Sequence, residues 1–388
     1  MLEGTVRRAG TKLRVTAELV SANDGLVQWS ERYERDSKDV FQVQDDITEA
    51  IVGALRLKLA PASQASARQH RPEDPEAHDL YLRSRFFLLK QDEADLHKSL
   101  DYFERALAKD PGYVSAYNGI SFAWSWLADA YVSPREAYPK AKAAALKAIE
   151  LDSSDADAQT MLASVEFSYE WKWNEGEARY RKALELNPES ADTHLFYGLA
   201  LCARKHRDQG LAMLDRAIAL DPLAPIPSWG KEWCLCTARR FDDVIEQHKR
   251  TAELDPDFFY MSSPLAMAYR ERGMLSESLA EYERARRVTG HPVFGMALTL
   301  VRTGRVAEAR TVLQEFLDEA KSRYVAPETV ASVYASLGDK DEAFAWLDKA
   351  YQARSGPLAN DVLNLPDYDP IRSDPRFAVL IKKIGLDQ

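Results

Sequence analysis

A regular spacing of prolines sets the plan of this chain of 388 residues. Pro188, Pro222 and Pro256 lie 34 residues apart, and each of them follows Asn or Asp. A fixed period of this size is typical of repeat architectures, in which each unit contacts only its neighbours. Proline cannot donate an intrahelical hydrogen bond and disfavours helix in the residue before it, so each proline should end one helical unit. The sequence therefore predicts a stacked array of helical repeats.

Small and apolar residues recur at fixed offsets within the units. Ala217, Leu214 and Gly210 lie five, eight and twelve residues before Pro222. The same offsets before Pro188 give an equivalent set: Ala183, Tyr180 and Gly176. Small residues are needed where two helices touch, so this pattern predicts two packed helices in every unit.

This pattern resembles the tetratricopeptide repeat, whose W-x2-L-G-x2-Y…A-x3-F…P unit also spans 34 residues. The unit that ends at Pro222 carries the cleanest match, with Tyr197, Gly198 and Leu201 ahead of the residues already named. The resemblance implies a mainly α fold, a right-handed α-solenoid of about eight helix pairs over residues 76–355. In that family the first helices of the repeats form a concave groove that binds a protein or peptide.

The first sixty residues follow a different rhythm. Val15, Ala17 and Leu19 alternate with polar residues, as in a half-buried strand. Residues 2–8 and 26–33 can supply two further strands, the last after a turn at 23–25. Asp39 can cap a helix that ends before Pro61, with one apolar face. The members of that face are Val40, Val43, Ile47, Ile51, Leu55 and Leu59. Residues 1–60 are therefore predicted to form a small α+β unit.

That unit resembles the C-terminal half of a TolB-like domain, which precedes tetratricopeptide repeats in bacterial signalling and regulatory proteins. Four blocks carry the resemblance in order: LEGTVRR, LRVTAEL, WSERYER and VFQVQDDI, which begin at residues 2, 13, 29 and 40. The first half of the family's domain has no counterpart, so we expect a piece of a longer protein in preference to a short natural chain. The resemblance implies an upstream DNA-binding, cyclase or kinase domain.

Half of such a domain would leave an open strand edge, and open edges favour pairing with another chain. A homodimer through residues 1–60 is therefore one expectation, and packing of the sheet on the first repeat is the other. Residues 61–75 are rich in Ala, Ser, Gln and Pro, which predicts a linker. Residues 356–388 are predicted to cap the last repeat, with Phe377, Leu380 and Ile384 covering its apolar face.

Charge and composition exclude several classes of function. The net charge of −10 disfavours nonspecific binding to nucleic acid or to an anionic membrane. The sequence contains neither a run of about 18 apolar residues nor a secretory signal, so we expect a cytoplasmic chain. A periplasmic location is the alternative if a membrane anchor precedes it. Three cysteines are too few and too badly spaced for a disulfide framework or a zinc site, and we expect buried thiols.

Motifs of catalysis are missing from the sequence. It contains no phosphate-binding loop, no G-x-G-x-x-G, no H-E-x-x-H and no G-x-S-x-G pattern. The seven histidines are scattered without the spacing of metal ligands. We therefore expect a protein that is not an enzyme and that needs no cofactor or metal.

The resemblance places a set of side chains in the groove. These are Phe122 and Trp126 in the second repeat, Leu195, Leu199 and Cys202 in the fourth, Trp229, Trp233 and Cys236 in the fifth, and Tyr260, Met267 and Arg270 in the sixth. Trp229 and Trp233 are four residues apart, so they share one helix face. Aromatic and arginine side chains are enriched at binding surfaces. The alternative is that these rings pack between repeats.

Three functions follow from these patterns. The first is an interaction module that binds a protein or peptide, with Trp229 and Trp233 as anchors and Arg270 paired with a carboxylate of the partner. The second is the regulatory half of a nucleotide cyclase or protein kinase whose catalytic domain lies outside this chain. The third is a structural spacer with a dimerising N-terminal unit.

Overall fold

The computed structural model describes residues 2–9, 12–21, 25–36, 46–47, 50, 74–90, 92–128, 130–254, 262–360 and 364–386. The chain divides into two compact units, Met1–Leu89 with Lys98–Ala116 and Lys90–His97 with Tyr117–Gln388. Three predicted features lie wholly or mostly outside the described residues: the helix after Asp39, the linker 61–75 and the groove residue Tyr260.

The first unit contains an antiparallel sheet of three strands in the order β1-β2-β3. The strands are β1 (Leu2–Ala9), β2 (Lys12–Val20) and β3 (Val27–Asp36), so the predicted three-stranded start is confirmed. Ala17, Leu19 and Tyr33 are buried. Arg14 and Glu34 form an exposed ion pair, with Nη2 and Oε2 2.8 Å apart.

Sixteen helices follow within the described ranges and form eight consecutive pairs. The pairs are α1 (Pro75–Leu88) and α2 (Glu93–Lys109), α3 (Val114–Leu127) and α4 (Pro134–Leu151), α5 (Ala156–Ser168) and α6 (Trp173–Leu186), α7 (Ala191–Ala203) and α8 (Arg207–Leu220), α9 (Pro225–Thr237) and α10 (Phe241–Leu254), α11 (Ser262–Glu271) and α12 (Leu275–Thr289), α13 (Phe294–Arg302) and α14 (Val306–Glu319), and α15 (Pro327–Leu337) and α16 (Lys340–Ala353). The predicted mainly α fold with about eight helix pairs is confirmed.

Local sequence signals explain where these helices begin and end. Asp155 caps α5 by accepting a hydrogen bond from the backbone N–H of Ala158 at 2.6 Å. Proline occupies the first turn of α1, α4, α9 and α15, where its missing N–H costs nothing. Gly338 ends α15 with a φ of 84°, a left-handed conformation that glycine adopts without steric cost. The helix α6 ends at Leu186, directly before Asn187-Pro188, as the proline spacing predicts.

In the second unit, the first helices of successive pairs contact one another from α5 through α7, α9, α11 and α13 to α15. The recurring small residues lie where the two helices of a pair touch. A Cβ added to Gly210 on α8 would lie 2.3 Å from Cys202 Sγ and 2.7 Å from the carbonyl oxygen of Gly198 on α7. Only glycine at this position allows α7 and α8 to approach so closely.

After α16 the chain continues through three short helices and a 3₁₀ turn: α17 (Gly356–Asn360), the turn Pro366–Tyr368, α18 (Asp369–Arg372) and α19 (Pro375–Lys383). Phe377, Leu380 and Ile384 are buried with Leu347 of α16. The same cluster includes residues of α7, α9 and α11, and Trp173 Nε1 donates a hydrogen bond to the carbonyl oxygen of Ile384 at 3.0 Å. The C-terminal segment therefore packs on several pairs of the second unit.

The cysteines correct one expectation. Cys202 on α7 and Cys234 on α9 form a disulfide with their Cα atoms 5.6 Å apart, whereas three buried thiols were predicted. Only Cys236 is a free, buried thiol. The two bonded cysteines are separated by 32 residues, nearly one repeat. Stacking of successive first helices brings such positions together, which a count of cysteines along the sequence cannot show.

Candidate functional site

A cavity of about 360 Å³ opens among the first helices of the second unit. Trp126 of α3, Leu195 and Leu199 of α7, and Trp229 and Trp233 of α9 line it. All five were predicted groove residues. The other walls are mostly apolar or aromatic and include Tyr138, Phe167, Tyr180, Phe196, Ile226 and Pro357.

The aromatic rings form a continuous row across three helices. The rings of Trp229 and Trp233 are stacked, with centroids 5.9 Å apart and planes 23° apart. The ring centroids of Trp126 and Trp229 are 6.3 Å apart. The ring centroid of Phe122 lies 5.9 Å from that of Trp126 and 5.8 Å from that of Phe196. These separations fall within the range in which aromatic pairs attract. The three indoles also pack against the buried core, so the rings are both structural and cavity-lining.

The walls of this cavity carry no charge among the described residues that line it. Their polar side chains are limited to hydroxyl groups, the indole N–H groups and the bonded sulfur of Cys202: Ser125, Ser164, Ser168, Thr237, Tyr138 and Tyr180 carry the hydroxyls. Small-molecule and side-chain pockets of this size are typically apolar with a few hydroxyl or amide groups. The cavity is therefore suited to an uncharged, apolar group.

Five of the predicted groove residues are buried: Leu195, Cys202, Cys236, Met267 and Arg270. Met267 is 1% exposed and belongs to the core of α9, α11 and the C-terminal segment. Leu195 is 2% exposed and lines the cavity. A groove position inferred from repeat spacing takes no account of the C-terminal segment that lies over α11. Met267 is thus a core residue.

Arg270 corrects a second expectation. Its side chain is 1% exposed and forms ion pairs with Asp367 of the C-terminal segment and with its neighbour Glu271. Burial alone would lower the pKa of Arg270, but the charges of Asp367 and Glu271 outweigh it and raise that pKa above its ordinary value. Arg270 therefore pairs with a carboxylate, as predicted, but the carboxylate belongs to this chain.

A buried polar group joins α9 to α10. The Glu232 side chain is fully buried and accepts hydrogen bonds from Thr251 Oγ1 at 2.8 Å and from His248 Nδ1 at 3.2 Å. Burial raises the pKa of Glu232, although the hydrogen bonds and charge of His248 act in the opposite direction. Sequence reasoning missed this group because its two partners lie on the next helix.

The described residues lack two other features. No three side chains of His, Cys, Asp or Glu within them come together as ligands of a metal ion would. None of the helices in the same ranges has the length and apolar character that crossing a bilayer requires.

Comparison with curated proteins gives partial matches. A putative adenylate cyclase 3 of Rhizobium meliloti (strain 1021) is 37% identical over 121 residues, which are 31% of this chain and 21% of that protein. The transcriptional regulator HilA of Salmonella typhimurium is 24% identical over 167 residues, which are 43% of this chain and 30% of that protein. The chain therefore spans less than a third of the length of these relatives.

Comparison with solved structures also gives partial matches. The Pseudomonas aeruginosa pilF structure has a TM-score of 0.41 and 20% identity, and covers 53% of this chain and 89% of that chain. The structure of PilW, a type IV pilus biogenesis factor, has a TM-score of 0.41 and 16% identity, and the match covers 67% of this chain and 98% of the PilW chain. YrrB, described as a TPR protein with an unusual peptide-binding site, has a TM-score of 0.32 and 22% identity, and the match covers 48% of this chain and 92% of the YrrB chain.

Residues 294–357, which include α13, α14, α15 and α16, match the family profile described as a tetratricopeptide repeat. The 34-residue period, the helix pairs and the glycine contact between α7 and α8 agree with that match. The resemblance of residues 1–60 to a TolB-like domain stays a prediction. The two helix pairs α13–α14 and α15–α16 therefore match the tetratricopeptide repeat, and the earlier pairs follow the same helix-pair plan.

Proposed function

We propose that the second unit binds a segment of another protein along the first helices of its repeats, with an apolar side chain of that segment inserted beside Trp229 and Trp233. The observation that carries this proposal is the uncharged cavity of about 360 Å³ that those two rings, Trp126 and Leu199 line. Tetratricopeptide repeats are in general protein-interaction scaffolds, which agrees with this assignment.

The size of the contact supports an anchor. An aromatic side chain that enters the cavity removes roughly 150–250 Å² from water, and at about 25 cal/mol per Å² this contributes about 4 to 6 kcal/mol. Immobilising the partner offsets part of that free energy. Stacked indoles lose little conformational entropy on binding because they are already packed against the core. The cavity is therefore the place where a single partner residue can contribute most.

The test compares three tryptophans. Peptides that bind the full chain are selected from a random library, and their dissociation constants are measured by calorimetry. Trp229→Ala and Trp233→Ala should each weaken binding at least about tenfold, the effect typical of an anchoring aromatic residue. Trp124→Ala is the matched control because Trp124 lies on α3 with Trp126 but does not line the cavity. Unchanged affinity in both cavity variants would remove the proposal.

A second candidate function is regulation within a signalling protein. The similarity to a putative adenylate cyclase, at 37% identity over 121 residues, favours it. In this case the repeats would hold a regulatory partner of a catalytic domain encoded elsewhere in a longer chain. Adding the purified chain to the catalytic domain of its own gene should then change the rate of nucleotide cyclisation. A rate that is the same with and without the chain would exclude this role.

A further inference from the structure

Three arginines lie near the ends of the first helices of three successive repeats, at different positions of the repeat. Arg239 follows α9, Arg270 lies in the last turn of α11, and Arg302 is the last residue of α13. Each one lies where the first helix of a pair leads into the second. We call these three residues the arginine row. The helices α9, α11 and α13 contact one another in this order, which brings their ends and the three arginines close together.

Two aspartates of the C-terminal segment meet this row. Asp369 accepts hydrogen bonds from Nη1 and Nη2 of Arg239, at 2.8 and 2.7 Å, in a bidentate pair. Asp367 pairs with Arg270, and both side chains are 1% exposed. Arg302 donates to the carbonyl oxygen of Arg270 at 3.2 Å, and its positive charge also acts on Asp367. The row therefore binds two carboxylates that are two residues apart.

Neighbouring residues of the segment are also recognised individually. Tyr368, between the two aspartates, donates its hydroxyl to the carbonyl oxygen of Glu328 at 3.2 Å. Asn364 donates to the carbonyl oxygen of Ala203 at 2.8 Å and accepts from Arg207 at 3.3 Å. Residues 364–372 thus contact the ends of α7, α9 and α11 and the start of α15 through specific polar groups.

A cover for the last repeat would not need these charges. Burying two charges costs several kcal/mol for each ion, and replacing a buried pair by apolar residues is often neutral or stabilising. Bidentate arginine–carboxylate pairs add geometric selectivity in addition to energy. The contacts of residues 364–372 therefore select a sequence, whereas the apolar contacts of Phe377 and Leu380 would suffice to cover a surface.

We infer that the arginine row is a binding surface for an acidic protein segment in which two aspartates flank an aromatic residue. Residues 364–372 are its intramolecular ligand. A partner segment of the same chemistry competes with them, because the surface accommodates one segment at a time. The inference goes beyond the proposed function, since the row does not line the cavity beside Trp229 and Trp233.

The experiment keeps the whole chain. A protease site is inserted between Asn360 and Asn364, the purified protein is cleaved there, and a fluorescently labelled peptide of residues 364–386 is added. We expect the cleaved protein to retain its helical circular dichroism and its own segment at first, and then to exchange that segment for the labelled peptide. A peptide with Asp367→Asn and Asp369→Asn should bind at least about tenfold more weakly. Its affinity should also depend less on salt, because exposed ion pairs are screened.

Two adjacent arginines supply the matched control. Arg239→Ala should weaken binding of the labelled peptide about fivefold, within the range for a partly exposed ion pair. Arg240→Ala should leave it unchanged, since Arg240 pairs with Asp243 at 2.5 Å and does not contact the segment.

Three results would overturn the inference. The first is a cleaved protein that loses its helical signal, which would make the segment an integral part of the fold. The second is a labelled peptide that never exchanges with the cleaved segment. The third is equal affinity of the native and the Asp→Asn peptides, which would show that the arginine row does not select the carboxylates.

Discussion

At the scale of single residues, burial of charge decides what this protein can do. Glu232 and Arg270 are both fully or almost fully buried, yet each has partners on a different element of the fold. A buried ionisable group without such partners would be neutral or would destabilise the fold. Both groups therefore make measurable contributions to stability.

Glu232 gives the chain a pH dependence of known sign. Its folded-state pKa is raised above the ordinary value of 4.5, so the folded chain binds this proton more tightly than the unfolded chain. The wild-type protein therefore loses stability as the pH rises through the raised pKa. Glu232→Gln removes that loss while keeping a hydrogen-bond acceptor for Thr251. We expect the melting temperature of the variant, relative to wild type, to increase from about pH 4 to about pH 8.

The same experiment contains its own control. Glu246→Gln changes a fully exposed carboxylate on the adjacent helix α10. Its melting temperature relative to wild type should not increase with pH in the same way, because the pKa of Glu246 is lowered by Lys249. A difference between Glu232→Gln and wild type that stays constant with pH would show that burial does not perturb Glu232.

The pair of Arg270 and Asp367 should show the asymmetry of buried ion pairs. Asp367→Ala leaves the arginine charge buried with only Glu271 beside it, and we expect a loss of about 3 to 5 kcal/mol in the free energy of unfolding. The double variant Arg270→Met, Asp367→Leu should be far less destabilised, because no charge stays unpaired. Urea unfolding measures both. Equal destabilisation in the single and double variants would contradict the assigned pair.

At the scale of elements, the contact between α7 and α9 is covalent. The disulfide Cys202–Cys234 joins positions 32 residues apart. Closing a loop of that length reduces the entropy of the unfolded chain, which raises the free energy of unfolding by about 3 to 4 kcal/mol. Cys234→Ser should lower the melting temperature of protein prepared under oxidising conditions and abolish its response to reductant. Cys236→Ser, which changes the buried free thiol on the same helix, should retain that response. Identical responses of the two variants would exclude the disulfide.

The helix pairs were predicted from the sequence more completely than the cavity. The helix pairs depend on local signals, such as Asn187-Pro188 after α6 and the glycines between α7 and α8, which can be read from one stretch of chain. Trp229 and Trp233 share a face because of their i,i+4 spacing. Whether that face meets a cavity depends on Leu199 and Pro357, from other elements. That part of the site could not be predicted from spacing.

At the scale of the whole chain, the path of the C-terminal segment could not be predicted. Asp369 pairs with Arg239, which lies 130 residues earlier, and no period or motif relates the two positions. The sequence indicated only that Phe377, Leu380 and Ile384 needed apolar partners. For the same reason Arg270 was predicted to face an outside carboxylate. Its pairing with Asp367 depends on a fold-back that only the complete second unit contains.

The most direct test of the account is hydrogen exchange of the full chain with and without a peptide selected for binding. The account predicts added protection in α7 and α9, whose residues Leu199, Trp229 and Trp233 line the cavity. The second helices α8 and α10 should be almost unchanged. Protection confined to α8 and α10, or spread evenly over all eight helix pairs, would contradict the claim that the first helices form the binding face.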